Sequence, residues 1–207
     1  MSADSNILSY SKICKLDRVM RGEPEGLPVK EETLEAGRQF ETAALQPELY
    51  DIEKDPFAAN TRRMLVSVQQ NEYFKHQLRS EGGKAQHTYY WRCKHTGFNC
   101  QAKLDHKNLV SGMDLKTTSA ATQAEFEAHA IAYHYDIQAA FYLDGSKLST
   151  FIILGVQKKY PYQTFTMYYN NLSPFVIEGR KKYITIINNA TKLNLLTNDT
   201  FTATTEQ

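Results

Sequence analysis

The most informative stretch of this chain reads Gln101-Ala-Lys-Leu-Asp105, then eight residues, then Asp114-Leu-Lys116-Thr-Thr, and then a helical segment with Gln138-Ala-Ala-Phe-Tyr142. Alternate residues of a β-strand point to the same face, so Asp114 and Lys116 project together while Leu115 points into the core. A hairpin with its turn near His106-Lys-Asn brings Asp105 back beside Asp114. Two carboxylates and a lysine on adjacent strands can hold a hard divalent cation and a water molecule beside a phosphodiester.

Taken alone, Asp-x-Lys is a short and common pattern, and an ordinary surface hairpin with an Asp–Lys pair explains it equally well. The second carboxylate, separated from Asp114 by eight residues, and the Gln-x-x-x-Tyr pair on the following helix favour a site over that alternative. Gln138 and Tyr142 are four residues apart, so they share one face of their helix.

The pattern of apolar residues around this stretch predicts an α/β fold. Helices are expected over 31–45, 58–80, 122–143 and 173–195, and strands over 87–94, 100–105, 109–117, 150–156 and 164–169. This order fits a mixed sheet with helices on both faces. One domain over 1–207 accommodates the chain, with an N-terminal arm (1–30), a core (31–195) and a frayed tail (196–207).

Composition narrows the possible classes of protein. The net charge of +1 gives no basic excess, although a nucleic-acid protein can gather its Lys and Arg residues in one groove. No apolar run approaches the roughly 20 residues of a membrane span, and the N-terminus carries no secretory pattern, so a cytoplasmic protein is expected. The nucleotide-motor phosphate loop is absent, which predicts no use of ATP.

The three cysteines, Cys14, Cys93 and Cys100, are expected to be reduced thiols. If the turn is centred near Thr96-Gly97, Cys93 and Cys100 lie opposite each other across a hairpin. Their spacing with His95 and His106 is a poor match to common zinc sites.

The spacing Asp-(x)8-Asp-x-Lys resembles the core of the PD-(D/E)xK nucleases, and the trailing Gln-x-x-x-Tyr resembles their RecB-like branch. The segment from Gly37-Arg-Gln-Phe-Glu41 to Leu45-Gln-Pro-Glu48 resembles the first helix of the RecE-type (exodeoxyribonuclease VIII) and phage lambda-type exonucleases, with Glu41 in place of their His. The resemblance covers about 37–183. It implies a restriction-endonuclease-like core.

The resemblance also implies a role for each residue. Mg²⁺, or Mn²⁺ in its place, is held by Asp105, Asp114, Glu41 and the backbone carbonyl of Leu115, and Lys116 acts on the attacking water. Gln138 and Tyr142 contact the DNA backbone or brace the lysine. Lys103 and His134 are further candidates for contacts with DNA. Some RecB-like nucleases carry a four-cysteine iron–sulfur cluster, but no cysteine follows Cys100, so none is expected here.

Such enzymes digest linear duplex DNA from a free end, leave single-stranded tails for recombination or repair, work with a single-strand annealing protein, and often form rings, commonly in phages or prophages. Two alternatives remain open at this point. One is a structure-specific or restriction-type endonuclease on the same core, and the other is a catalytically silent nucleic-acid-binding module.

Overall fold

The protein is built around a five-stranded mixed sheet. A computed structural model describes residues 7–23 and 30–196. The strands are β1 (Lys84–Arg92), β2 (Asn99–Lys107), β3 (Ser111–Thr118), β4 (Thr150–Gln157) and β5 (Thr164–Asn170). They lie in the order of the sequence, with β3 and β4 parallel and the other neighbours antiparallel.

Helices cover both faces of this sheet. They are α1 (Tyr10–Met20), α2 (Glu31–Leu45), α3 (Ala58–Gln70), α4 (Glu72–Arg79), α5 (Gln123–Ala132), α6 (Tyr135–Ser146) and α7 (Pro174–Lys192), with short 3₁₀ turns at Pro47–Leu49 and Ile52–Lys54. One apolar core lies between the sheet and α1, α5, α6 and α7. A second lies between the opposite face and α2, α3 and α4. The predicted α/β fold, a restriction-endonuclease-like core, is confirmed.

The buried strand β4 shows why the sheet needs two layers of helices. Its eight residues are all buried. Phe151 and Ile153 belong to the first core, whereas Ile152 and Leu154 belong to the second. This alternation is the expected consequence of the two-residue period of a strand.

The N-terminal arm is more ordered than its polar composition predicts. Leu8 forms a bridge with Cys100 beside β2, and helix α1 packs against α7. Leu8 and Ile13 are fully buried in the first core. Leu8 and Ile13 thus make the arm part of the first core. Residues 1–6 and 24–29 of the predicted arm, and the predicted frayed tail after 196, lie outside the described residues.

Two of the predicted helices are each divided in two. The helix expected over 58–80 breaks at Asn71, whose side chain accepts a hydrogen bond from the backbone N–H of Phe74 and so begins α4. The helix expected over 122–143 breaks at His134, whose backbone is left-handed with φ 59°. The second break changes which residues of the helix reach the candidate site.

The turn between β2 and β3 lies later than the sequence suggests. Strand β2 continues through Lys107, and the side chain of Asn108 accepts hydrogen bonds from the N–H groups of Val110 and Ser111. This Asx-type turn fixes a register in which His106 pairs with Met113 and Lys107 with Gly112. Asp105 and Asp114 are the next pair in that register, as the sequence predicts.

Candidate active site

The candidate site lies where β2 and β3 separate. The two strands pair at only two positions and then diverge. The carboxylate of Asp105 takes the place of the missing ladder bond, because its Oδ2 accepts a hydrogen bond from the backbone N–H of Leu115 at 2.8 Å. We call the space between the diverging strands, lined by Asp105, Asp114 and Leu115, the strand fork.

Asp114 is the most constrained group of the strand fork. Its side chain is only 3% exposed. Oδ1 accepts a hydrogen bond from Nε2 of Gln138 at 2.6 Å, and Oδ2 lies 2.5 Å from Nζ of Lys116. A buried charge is tolerated when it is paired and hydrogen-bonded, and Asp114 meets both conditions. Leu115 points to the opposite side, into the second core, as predicted.

Helix α2 contributes Glu41 from the other face of the sheet. The side-chain amide of Gln86 donates a hydrogen bond to the Glu41 carboxylate. Gln86 would pair with Asp105 in the β1–β2 register, but its backbone is left-handed with φ 51°, and the ladder is interrupted there. Left-handed backbone is unfavourable for a residue other than glycine, so strain is stored beside two of the candidate ligands.

Burial and neighbouring charges shift the pKa values of Asp105, Glu41 and Lys116. Burial, together with the charges of Asp114 and Glu41, raises the pKa of Asp105 well above its usual range. Burial and Asp114 also raise the pKa of Glu41, against the opposing effects of Gln86 and Lys116. For Lys116, burial alone would lower the pKa, but the charges of Asp114 and Asp105 outweigh it and the pKa rises. The mutual repulsion of the carboxylates is what a bound cation would relieve.

The oxygen atoms that line the strand fork are the kind of ligand that a hard divalent cation requires. Carboxylate oxygens are the ligands that Mg²⁺ prefers. The carbonyl of Leu115 points into the fork as well, because its N–H does so and both groups of an extended residue face the same side. Within 7–23 and 30–196, however, no three His, Cys, Asp or Glu side chains converge closely enough to hold one ion, so ligation requires side-chain rotation in the strand fork.

Gln138 and Tyr142 lie behind the carboxylates. Their exposed fractions are 2% and 8%. Gln138 bonds to Asp114, and Tyr142 packs edge-on against Phe151. Burial removes both side chains from a surface that DNA could reach, so their placement favours bracing over direct contact with the backbone of DNA. The group that Gln138 braces is Asp114, whereas the sequence predicted the lysine.

The two remaining candidates for DNA contact have different placements. Lys103 is exposed on β2, on the same side as Asp105. Its positive charge opposes the rise in the pKa of Glu41. His134 occupies the N-cap position of α6, is half-buried, and is not among the residues that line the groove described next. His134 still lies one turn before Gln138, because its carbonyl accepts a hydrogen bond from the N–H of Gln138. Its contact with DNA stays a prediction.

A groove of about 450 Å³ leads from the surface to Glu41 and Lys116. Three aromatic residues that the sequence analysis did not select line it: His129, Tyr133 and Tyr135. An unbroken helix over 122–143 would place Tyr133 on the same face as the buried Phe126 and Ala130, but Tyr133 is 58% exposed. Gln86 is the other residue that was missed. The hairpin register could have identified it as the partner of Asp105, but its left-handed backbone has no local signal.

Several basic residues outside the strand fork form ion pairs with neighbouring carboxylates. Arg38 bonds to Glu31 and Glu35, Arg180 to Asp144, and Lys182 to Asp136. They neutralise neighbouring carboxylates, and none of these contacts involves the strand fork.

The cysteines form no metal centre within the described part of the chain. Cys93 hydrogen-bonds through its N–H to Phe98, so the hairpin register places Cys93 opposite Phe98 and Cys100 opposite Trp91. The predicted direct pairing of the two thiols is therefore wrong by two residues. A hydrogen bond from the thiol of Cys100 lowers the pKa of Cys93 to about 5. No helix of the described residues is both long and apolar enough to cross a membrane.

Comparison with solved structures identifies proteins that this chain resembles to different degrees. A protein from Eubacterium rectale, provisionally assigned as an exonuclease, superposes with a TM-score of 0.65 at 13% identity, over 94% of this chain and 86% of that chain. An alkaline exonuclease from Laribacter hongkongensis gives a TM-score of 0.44 at 10% identity, over 93% and 84%. A search of curated proteins finds no match.

The sequence itself assigns the family. Residues 29–195 match the PDDEXK-like domain of unknown function (DUF3799). The match includes every element from α2 to α7 and all the candidate site residues. The predicted PD-(D/E)xK resemblance is thereby confirmed, and the chain belongs to the family of PDDEXK-like domains, with a nuclease fold.

Proposed function

We propose that this chain is a divalent-metal-dependent deoxyribonuclease that digests linear duplex DNA from a free end. The observation that carries the proposal is the strand fork, where Asp105, Asp114 and Lys116 meet beside Glu41 at the end of an accessible groove. A relic that had lost catalysis would be free to lose one of these four residues. The intact set therefore supports an enzyme over a silent binding module.

In this proposal, Glu41, Asp105, Asp114 and the carbonyl of Leu115 hold Mg²⁺, with Mn²⁺ able to replace it. The cation supplies Lewis-acid activation of water and neutralises charge on the phosphate. Lys116 is a catalytic residue: as a cation it positions the attacking water and offsets the charge that develops on the phosphate oxygens. Neither ATP nor an iron–sulfur cluster takes part.

The residues behind the strand fork are positioning residues. Gln138 holds Asp114 through the 2.6 Å hydrogen bond, and Tyr142 packs beside it. Gln86 fixes the Glu41 carboxylate in the same way. Lys103, exposed near Glu41, is proposed to meet a phosphate of the bound DNA.

Preference for DNA ends is the finer part of the proposal. It is supported by the likeness of the α2 segment and the Gln138/Tyr142 pair to the RecE-type and lambda-type enzymes. The resulting single-stranded tails would serve recombination or repair through an annealing protein, and a ring of subunits would supply processivity. Labelling each end of the duplex separately shows which strand is lost, and light scattering of the purified protein tests for a ring.

The decisive experiment compares covalently closed and linear plasmid with Mg²⁺, with Ca²⁺, and with excess EDTA. We expect progressive loss of the linear duplex in Mg²⁺ or Mn²⁺, with the closed circle left intact and no turnover in Ca²⁺, whose larger shell misplaces the water. Discrete internal fragments from the closed circle would establish the endonuclease alternative. Full activity in EDTA would refute the metal mechanism, and no cleavage of either DNA would support the silent module.

A further inference from the structure

A large aromatic side chain stands exposed at the break between α5 and α6. Tyr133 is the C-cap of α5, and the left-handed His134 turns the chain before α6 begins. The hydroxyl of Tyr10, from the distant helix α1, donates a hydrogen bond to the carbonyl of Tyr133 at 2.5 Å. This tertiary contact satisfies a carbonyl at the end of α5 and fixes the break, so the ring of Tyr133 is directed into the groove and not into the core.

Three rings follow one another along the groove toward the candidate site. The ring centroids of His129 and Tyr133 are 5.8 Å apart, and those of Tyr133 and Tyr135 are 6.0 Å apart. At the inner end, Nζ of Lys116 lies 5.3 Å from the centroid of the Tyr135 ring. We call His129, Tyr133 and Tyr135 the aromatic track. Tyr133 is its exposed ring, and the half-buried Tyr135 lies next to Lys116.

We infer that the aromatic track is a stacking subsite for unpaired nucleobases of the DNA strand that enters the strand fork, an inference that rests on the proposed nuclease function. Every nucleobase presents an aromatic face, so stacking on tyrosine holds single-stranded DNA without reading its sequence. The enzyme consequently prefers ends that are frayed or already carry a short single-stranded tail.

The charges of the groove favour a nucleic acid strand over other occupants. Lys158 lines the same groove as the aromatic track, and no ion pair engages its side chain within 7–23 and 30–196. A cation beside exposed rings suits a strand that offers a phosphate and a base at each nucleotide. An apolar peptide would stack on the rings but leave this lysine without an anionic partner.

The spacing of the rings indicates how the strand lies. Successive bases of a stacked strand are about 3.4 Å apart, which is much closer than the centroids of the aromatic track. The rings are also tilted by 53° and 42° with respect to each other. The bases must therefore separate from one another and stack individually on the protein. Tyr133, the most exposed ring, holds the outer base, and Tyr135 holds the base next to the reacting phosphate.

The test measures binding by fluorescence anisotropy in EDTA, with a labelled duplex that carries a three-nucleotide tail. The tail is supplied either with normal bases or with abasic residues, which keep the phosphates and remove the rings. We expect abasic residues to weaken binding to the wild-type protein by about tenfold, because one stacked base contributes about 1–3 kcal/mol. Tyr133→Leu should weaken binding of the normal tail by a similar factor and leave binding of the abasic tail unchanged.

Two matched variants separate stacking from loss of structure. Tyr133→Phe keeps the ring and should bind the normal tail like the wild-type protein. Tyr90→Leu removes a tyrosine of similar exposure (68%) on β1, outside the groove, and should have no effect. If Tyr133→Leu fails to fold, the comparison of normal and abasic tails on the wild-type protein still decides the inference.

The outcomes distinguish this inference from the proposed function. A protein that cleaves DNA but binds normal and abasic tails equally overturns the aromatic track and leaves the nuclease in place. A protein that discriminates between the two tails but cleaves nothing in Mg²⁺ or Mn²⁺ supports the aromatic track and contradicts the nuclease.

Discussion

Strand β3 has two neighbours, and the contrast between them shows how the fold creates its site. With β4, β3 pairs at all eight positions from Ser111 to Thr118. With β2, it pairs at two positions and then diverges. The regular pair carries apolar side chains into both cores, whereas the open side carries Asp105, Asp114 and the carbonyl of Leu115. We therefore expect stability to come mainly from the closed side of β3, and we propose that the open side carries the chemistry.

The open side of β3 contains features that lower the stability of the fold. Carboxylates with raised pKa values, a left-handed Gln86 and a buried ion pair are each unfavourable unless something compensates for them. Their concentration in the strand fork, and not on the β4 side, is the pattern expected where function opposes stability. Substitutions on the open side should therefore lower activity more than stability, and substitutions on the closed side should lower stability more than activity.

The largest expected effect is the loss of activity on removing the carboxylate of Asp114. Asp114→Asn should lower nuclease activity by about 10²-fold or more, because it removes one of the carboxylates proposed to hold the catalytic cation. The amide preserves the shape of the side chain, so thermal unfolding should remain cooperative. Plasmid digestion and circular dichroism measure the two outcomes.

The chain offers a closely matched control for this variant. Asp136 is equally buried (4%), and its carboxylate lies 2.5 Å from Nζ of Lys182, the same distance as in the Asp114–Lys116 pair. Asp136→Asn should cost stability but retain activity. If both variants lose activity alike, the effect is structural and the catalytic role of Asp114 is wrong.

On the closed side of β3, truncating a core side chain should lower stability and leave activity unchanged. Ile152 on β4 is buried in the second core opposite Met113. Ile152→Ala should lower the free energy of unfolding by about 2–5 kcal/mol, since it removes buried methylene groups and leaves a cavity. Activity per folded molecule should be unchanged. Urea unfolding measures the loss, and Leu109→Ala at an exposed position should change it by less than about 0.5 kcal/mol.

The pH dependence of stability should distinguish the metal-free from the metal-bound protein. The raised pKa values of Asp105 and Glu41 mean that the folded protein favours their protonated forms. Their contribution to stability is present below the usual carboxyl pKa of about 4 and is lost as the pH rises through the raised values. In EDTA the melting temperature should fall over that range, and saturating Mg²⁺ should reduce the fall. Asp105→Asn should show a smaller difference between the two conditions.

The smallest expected effect concerns Gln86. Gln86→Gly relieves left-handed strain of about 1–2 kcal/mol and loses a hydrogen bond to Glu41 that contributes a comparable amount. Stability should therefore change little. The affinity for Mn²⁺ should still fall, because Glu41 is no longer held, and calorimetry can measure this decrease. An unchanged affinity would show that Gln86 does not position Glu41.

Local sequence patterns predict that Asp105 and Asp114 lie side by side, because this follows from spacing alone, but they do not predict that β2 and β3 then diverge. Two strands, a tight turn and the two-residue period suffice to bring Asp105 beside Asp114. The helix break at Asn71 could also have been found, because Asn before an amphipathic turn is a common N-cap.

The break at His134 could not have been found in the same way. No Gly or Pro marks it, and the contact that fixes it joins Tyr10 to Tyr133 across 123 residues. The N-terminal arm also joins the core through Leu8 and Ile13, which are fully buried although the composition of 1–30 is polar. The aromatic track was missed for this reason: its exposure depends on tertiary structure and not on helical periodicity.

The central claim is that the strand fork binds a divalent cation through Asp114 and its neighbours. Calorimetric titration of Mn²⁺ into the wild-type protein, Asp114→Asn and Asp136→Asn tests it without requiring any catalysis. We expect the wild-type protein and Asp136→Asn to bind Mn²⁺ with equal affinity, and Asp114→Asn to bind it at least tenfold more weakly, about 1.4 kcal/mol. Equal affinity in all three proteins, or no binding by the wild-type protein, would contradict the claim.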